Sequence, residues 1–252
     1  MKMQRTSLYI INFIVLMLFS TASFSQEDTT ETPETTKDSV VGSSKYGLRL
    51  GGDLSKLVRS FLDDNYTGFE INADYRLTKR LYLAGELGTE ERTLETDYLN
   101  STAKGSYFKA GVDYNLYKNW LNMGNLIYSG FRVGASTFSQ TLNSYTVYNS
   151  DQYWDNPITI TDAEEFDGLT AIWVELILGM KAEVLPNLFL GANVQFKILA
   201  SETEPDNFEN LYIPGYNRTF DSGRFGIGFG YNVSYLIPIY KKAKTVKVDV
   251  EE

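Results

Sequence analysis

TGFEINADYRL, residues 67–77, alternates without a slip. Phe69, Ile71, Ala73, Tyr75 and Leu77 fall on one face, and Glu70, Asn72, Asp74 and Arg76 on the other. Successive residues of a β-strand point to opposite sides, so this stretch is a strand with one apolar and one polar wall.

The pattern recurs on both sides of it. Residues 46–54 set Leu48, Leu50 and Leu54 against Arg49 and Asp53. Residues 81–88, 106–116, 126–137, 169–183, 188–199 and 223–239 repeat it, the last with Phe225, Ile227, Phe229, Tyr231, Val233 and Tyr235 against Arg224, Asn232 and four small residues. Most of these eight segments approach the ~9–11 residues that a tilted membrane strand needs. The connections alternate in length: 55–66, 89–105, 138–168 and 200–222 are long, and 78–80, 117–125 and 184–187 are short. This predicts an all-β, up-and-down antiparallel transmembrane β-barrel over residues 46–240. Its short turns would face the periplasm and its long loops the outside.

Alternation alone also fits a soluble lipocalin-like barrel with its apolar wall inside. Three features favour the inverted arrangement. The apolar wall carries no charge. The polar wall is rich in glycine, which weakens a strand but suits a crowded lumen. Its charges balance, with Arg49, Arg76, Lys109, Arg132, Lys181, Lys197 and Arg224 against Asp53, Glu70, Asp74, Glu86, Asp113, Glu175 and Glu183. Unpaired charge in a confined interior is unfavourable, so a filled lumen should hold these as a salt-bridge network. The net charge of −9 arises elsewhere. The long loops are acidic, and the short turns carry Lys79, Arg80 and Lys118 without an acid. Tyr46, Tyr75, Tyr114 and Tyr235 toward one rim, with Phe69, Phe108 and Phe225 toward the other, fit two aromatic girdles. They also fit the general preference of strands for aromatics.

The ends of the chain read differently. Residues 1–25 look like a signal peptide: Lys2 and Arg5, an apolar run over 8–19 broken by Asn12, then Ser23 and Ser25 ahead of a cut before Gln26. A run of that length falls short of the ~20 residues of a spanning helix. Residues 26–45 are a Thr/Glu-rich linker with too few apolar residues to fold. Within it, Asp38-Ser39-Val40 resembles the O-glycosylation signal of exported Bacteroidetes proteins. Residues 241–252 form a charged tail.

Chemistry is narrowed by what is missing. The chain has no cysteine and no histidine. Ser-His, Cys-His and His-metal sites are therefore impossible, and we expect no enzyme and no cofactor. The third long loop holds Asp151, Asp155, Asp162, Glu164, Glu165 and Asp167, but no twelve-residue Ca²⁺ loop, so a solvated acidic loop is expected. The same loop carries Tyr145, Tyr148, Tyr153 and Trp154, either a contact surface for a partner or glycan, or a cover over the barrel mouth. Acidic loops and the absence of a basic patch argue against a nucleic-acid partner.

Residues 46–240 resemble the small OmpA/OmpX-like outer-membrane barrels. Gly230-x-x-Val233-x-Tyr235 looks like the last-strand assembly signal of that group. The resemblance implies the outer membrane of a Gram-negative bacterium, contact with its lipid, and the barrel-insertion machinery as a partner. The chain departs from the group by running on through Pro238, which leaves Tyr235 and Tyr240 both open as the anchoring aromatic. The Ser-Gln cut and the Gly-Tyr-x-x-x-Tyr-Leu-Ile-Pro ending are similar to an exported Bacteroidetes barrel family with a domain of unknown function, which implies no site. The expectation is a structural or interaction protein with a plugged lumen, acidic outer loops and an envelope protein partner. A narrow small-solute pore and a soluble periplasmic lipid carrier are the alternatives.

Overall fold

Eight of these strands close into a ring. The computed structural model describes residues 43–117, 124–147, 158–205, 209–218 and 223–243. All lie within the unit Val41–Glu252. The expected signal peptide, the expected linker up to residue 42, the expected tail beyond 243 and the loop residues Tyr148, Tyr153 and Trp154 lie outside the described residues.

The ring is built from β1 (Ser43–Asp53), β2 (Tyr66–Arg76), β3 (Leu81–Glu95), β4 (Leu99–Asn115), β5 (Leu126–Thr146), β7 (Glu164–Leu185), β8 (Leu188–Glu202) and β11 (Phe225–Ala243). Each pairs antiparallel with its neighbour in this order, β4 with β5 included, and β1 closes the ring on β11. A short β6 (Thr159–Ile160) extends β5, and β9 (Tyr212–Ile213) pairs with β10 (Asn217–Arg218) in a separate hairpin. Following the pairing from Leu50 through Ala73, Gly85, Ala110, Val133, Val174 and Ile198 ends at Phe225, whereas β1 itself meets β11 from Asn232 onward. That stagger is what closing a twisted sheet requires.

Burial is inverted relative to a water-soluble barrel. Leu50, Phe69, Ile71, Leu87, Phe108 and Phe131 are exposed, while Arg49, Asp74, Lys109, Asp113, Arg132 and Glu175 are buried. The apolar wall faces out and the charged wall faces in. Glycine lets bulky side chains cross this interior: a Cβ on Gly134 would stand 2.3 Å from the Trp173 ring.

Most strands run past their expected ends. Residues 89–105 were expected to form a loop, but β3 and β4 stay paired to Glu95↔Asn100. Their outward positions there are polar: Thr93 and Thr102 share a hydrogen bond at 3.0 Å, and Lys104 pairs with Glu91 at 3.4 Å. Such cross-strand pairs hold a sheet without hydrophobic alternation. In the same way residues 43–45, expected in the linker, and 241–243, expected in the tail, are strand.

One expected loop is a helix, α1 (Leu54–Leu62). Asp53 caps it by accepting from the N–H of Ser55 at 2.6 Å and of Lys56 at 3.4 Å. Leu54, Leu57, Val58, Phe61 and Leu62 recur at helical spacing. Because β1 gives way to α1 at Asp53, β11 has β8 but no β1 beside it over residues 225–231. Ser60 of α1 stands in for β1 on the β2 side, where its Oγ accepts from Gly68 N–H at 2.8 Å and donates to Gly68 C=O at 3.2 Å.

Candidate functional site

The lumen is where the sequence gathers its charge. Inward positions of β1, β2, β3, β4, β5, β7 and β8 bring most of the expected residues together. Near the end with the short turns, Asp74 accepts from Arg49 at 2.7 Å and from Lys181 at 2.7 Å. Arg132 donates to Asp113 at 2.7 Å and lies 3.6 Å from Glu86. At mid-depth Lys109 donates to Glu86 at 2.9 Å and lies 3.5 Å from Glu70 and 3.7 Å from Glu175. Glu175 is wholly buried, faces Lys197 at 3.5 Å and accepts from the Trp173 indole at 2.7 Å. Ions withdrawn from water this far persist only with partners on several sides. The free space among Glu70, Asp74, Glu86, Arg132, Lys181 and Gln195 is about 20 Å³, room for one water molecule.

Four expected members stand apart. Arg224 is exposed, outside β11, and forms no ion pair among the described residues. Arg76 spends its guanidinium on the backbone carbonyls of Lys45, Thr78 and Lys79 and on the faces of Tyr46 and Tyr82. Asp53 is taken up by capping α1. Glu183 sits at the rim, where it meets Lys45 at 3.6 Å and accepts from Gly124 and Asn187 N–H. Tyr46 is not a girdle residue: it is buried and stacks on Tyr240 at 5.1 Å between centroids.

Above the ion pairs lies a second cluster that period-two reading missed. Glu90 is buried and pairs with Lys56 of α1. It also accepts from Tyr66 Oη at 3.0 Å, Tyr212 Oη at 2.8 Å and Gly215 N–H at 2.9 Å. Burial alone would lower the Lys56 ammonium, but Glu90 and Glu70 outweigh it and hold it above the ordinary lysine value. Burial, together with Glu90, pushes the Tyr212 phenol well up, so it stays a neutral donor. Glu90 was legible in principle, since it continues the inward series Tyr82, Ala84, Glu86, Gly88. Lys56 was legible only through the helical spacing of α1.

The β9–β10 hairpin covers this cluster. Residues 200–222 were expected to extend outward as a loop, yet Tyr212, Ile213 and Tyr216 are buried. Ile213 and Tyr216 pack with Tyr107, Phe138, Leu169, Trp173 and Leu199, and Tyr212 with Tyr66 and Ala103, into an apolar lid across the barrel mouth. Gly215 takes φ +82° directly over the Tyr107 ring, a position without room for a side chain. Its carbonyl accepts from Lys197 Nζ at 2.7 Å.

Tyr145, expected in the third-loop contact surface, lies on β5 opposite Ile160 and is partly exposed. Of that loop's acids, Asp162, Glu164, Glu165 and Asp167 are exposed; Asp151 and Asp155 lie outside the described residues. Among the described residues no acidic cluster is arranged to hold a metal ion. Gly230, Val233 and Tyr235 lie on β11, with Gly230 inward against Asp53 and Tyr235 outward and exposed.

A family model described as "Domain of unknown function (DUF6048)" matches residues 6–242. No curated protein matches the chain. Solved structures similar to it include Ail, the attachment invasion locus protein of Yersinia pestis, at 11% identity and TM-score 0.38, covering 77% of this chain and 97% of that one. Neisserial surface protein A is similar at 11% identity and TM-score 0.41, covering 78% of this chain and 99% of that one.

Proposed function

The chain belongs to the DUF6048 family, and from that premise we propose that it is an outer-membrane barrel of structural or interaction type, with a lumen closed by paired charges. One observation carries this: the wall that would meet lipid is apolar and exposed, while the interior holds buried ion pairs around a cavity of about 20 Å³. An eight-stranded barrel has an interior that side chains can fill. With charges neutralised in place and an apolar lid above them, ions and solutes have no continuous aqueous path. The short-turn end, with both chain ends of the ring, faces the periplasm in this reading, and α1 and the acidic loops face outward. Those loops present the surface for an envelope protein partner. The barrel-insertion machinery reads Gly230, Val233 and Tyr235 as β11 closes on β1. The lack of histidine and cysteine makes catalysis a poorer account of the buried carboxylates than structural pairing.

Two measurements test the reading. In planar bilayers the purified chain is expected to give no steady channels, and conductance abolished by lumen substitutions would establish a pore instead. In intact cells, crosslinking followed by affinity recovery is expected to return the chain from the outer-membrane fraction with a stoichiometric partner.

A further inference from the structure

The wall of the barrel is interrupted beside α1. The Arg224 C=O accepts from Leu199 N–H on β8, and the Leu236 N–H donates to Asn187 on the same side. Even-numbered residues of β11 therefore turn their backbone groups toward β8, and odd-numbered ones turn theirs away. From residue 232 on, β1 covers that second edge. At Ile227, Phe229 and Tyr231 it faces α1, and among the described residues no hydrogen bond joins helix and edge.

A cavity of about 680 Å³ occupies the interruption, within the range of small-molecule sites. Leu54, Val58, Leu62, Ile227, Phe229 and Tyr231 line its outer side. Ile227 and Phe229 pair with Phe196 and Val194, so this lining continues the apolar outer wall. The inner side carries Lys56, Arg59 and Lys197 with Gln195. Acids are present but engaged: Asp53 caps α1, and Glu90 holds Lys56, Tyr66 and Tyr212. Among the described residues the Arg59 guanidinium lies over the Tyr66 ring, 4.0 Å from its centroid, and meets one acid, Asp63, at 3.6 Å, which is itself held by Arg92.

We propose that this cleft binds a long-chain carboxylate that enters sideways from the bilayer. Its tail lies against Val58, Ile227 and Phe229. Its head meets Arg59, Lys197 and the N–H groups of the β11 edge. Lys197 is buried, gives one hydrogen to the Gly215 carbonyl at 2.7 Å and faces Glu175 at 3.5 Å, so only a head as small as a carboxylate reaches its remaining donor. The proposal rests on the membrane reading above and adds a ligand to it.

The absence of native cysteine allows a direct test. Leu62→Cys, at the cleft's rim, and Phe108→Cys, on a distant part of the outer wall, are each labelled with bimane in phosphatidylcholine nanodiscs and titrated with 5-doxyl-stearate. Quenching is expected to saturate at residue 62 and to rise linearly at 108. Palmitate should reverse the saturable part at least tenfold more effectively than methyl palmitate, and Arg59→Gln should weaken binding several-fold while the barrel keeps its β-sheet spectrum. Linear quenching at both positions overturns the site. Equal competition by the ester, with Arg59→Gln unchanged, overturns the carboxylate assignment. A chain that fails to enter nanodiscs overturns the membrane reading and the cleft with it, whereas channels in planar bilayers would overturn only the closed lumen.

Discussion

Lys109 is the residue on which the lumen's electrostatics converge. It is almost wholly buried and lies within ion-pair distance of Glu70, Glu86 and Glu175. Replacing one member of a buried network leaves uncompensated charge, so Lys109→Met is expected to destabilise the folded barrel by about 3–5 kcal/mol. Urea unfolding in lipid vesicles measures this, and a change below about 1 kcal/mol would mean that water reaches the site. A second test concerns packing. A Cβ on Gly134 would press on Trp173, so Gly134→Ala is expected to destabilise by about 1–3 kcal/mol. Trp173→Phe should recover part of that loss in the double variant. At this scale the sequence was most legible where charge and alternation coincide, as at Arg49, Asp74 and Arg132. It misled at Arg224 and Arg76, because alternation states a direction but not where a strand ends.

Among the elements, α1 was the least legible, since a period-two reading passes over a nine-residue helix. The signal was there in Asp53 followed by Leu54, Leu57, Val58, Phe61 and Leu62. The hairpin of β9 and β10 had no such signal, because two-residue strands carry no period; only its burial reveals it. The anchoring of α1 depends on pH at both of its ends. A hydrogen bond from Arg92 holds the Asp63 carboxyl below the ordinary carboxylate range. A depressed folded value contributes stability above the unfolded pKa of about 3.9, and that stability is lost as pH falls through the folded value. Wild type is therefore expected to be more stable than Asp63→Asn at pH 6, with the gap closing on acidification below about pH 4. Lys56 behaves oppositely. Its raised folded value contributes stability below the unfolded pKa of about 10.4, lost as pH rises through the folded value. Denaturant titrations of wild type, Asp63→Asn and Lys56→Met across pH check both limbs.

For the molecule as a whole, the ring and its outward-facing apolar wall were written in the alternation, the charge-free face and the balance of lumen charge. Strand lengths were not, because beyond the apolar belt β3, β4, β5 and β7 continue on polar cross-strand pairs. In the proposed function the lid and the charges beneath it are two separate barriers. Replacing residues 209–218 with a Gly/Ser linker is expected to leave the barrel silent in planar bilayers, since the pairs around Lys109 remain. Steady currents from that variant would place the whole barrier in the hairpin. The seam between β1 and β11 has a further consequence. It joins the first strand of the ring to the last, across the largest separation in sequence of any pair, and α1 shortens it. Such a closure has high contact order and forms late. Until β11 arrives, the other seven strands are an open sheet with two bare edges. The time between release of the chain and the zipping of this seam is when it is most exposed to mispairing with another copy.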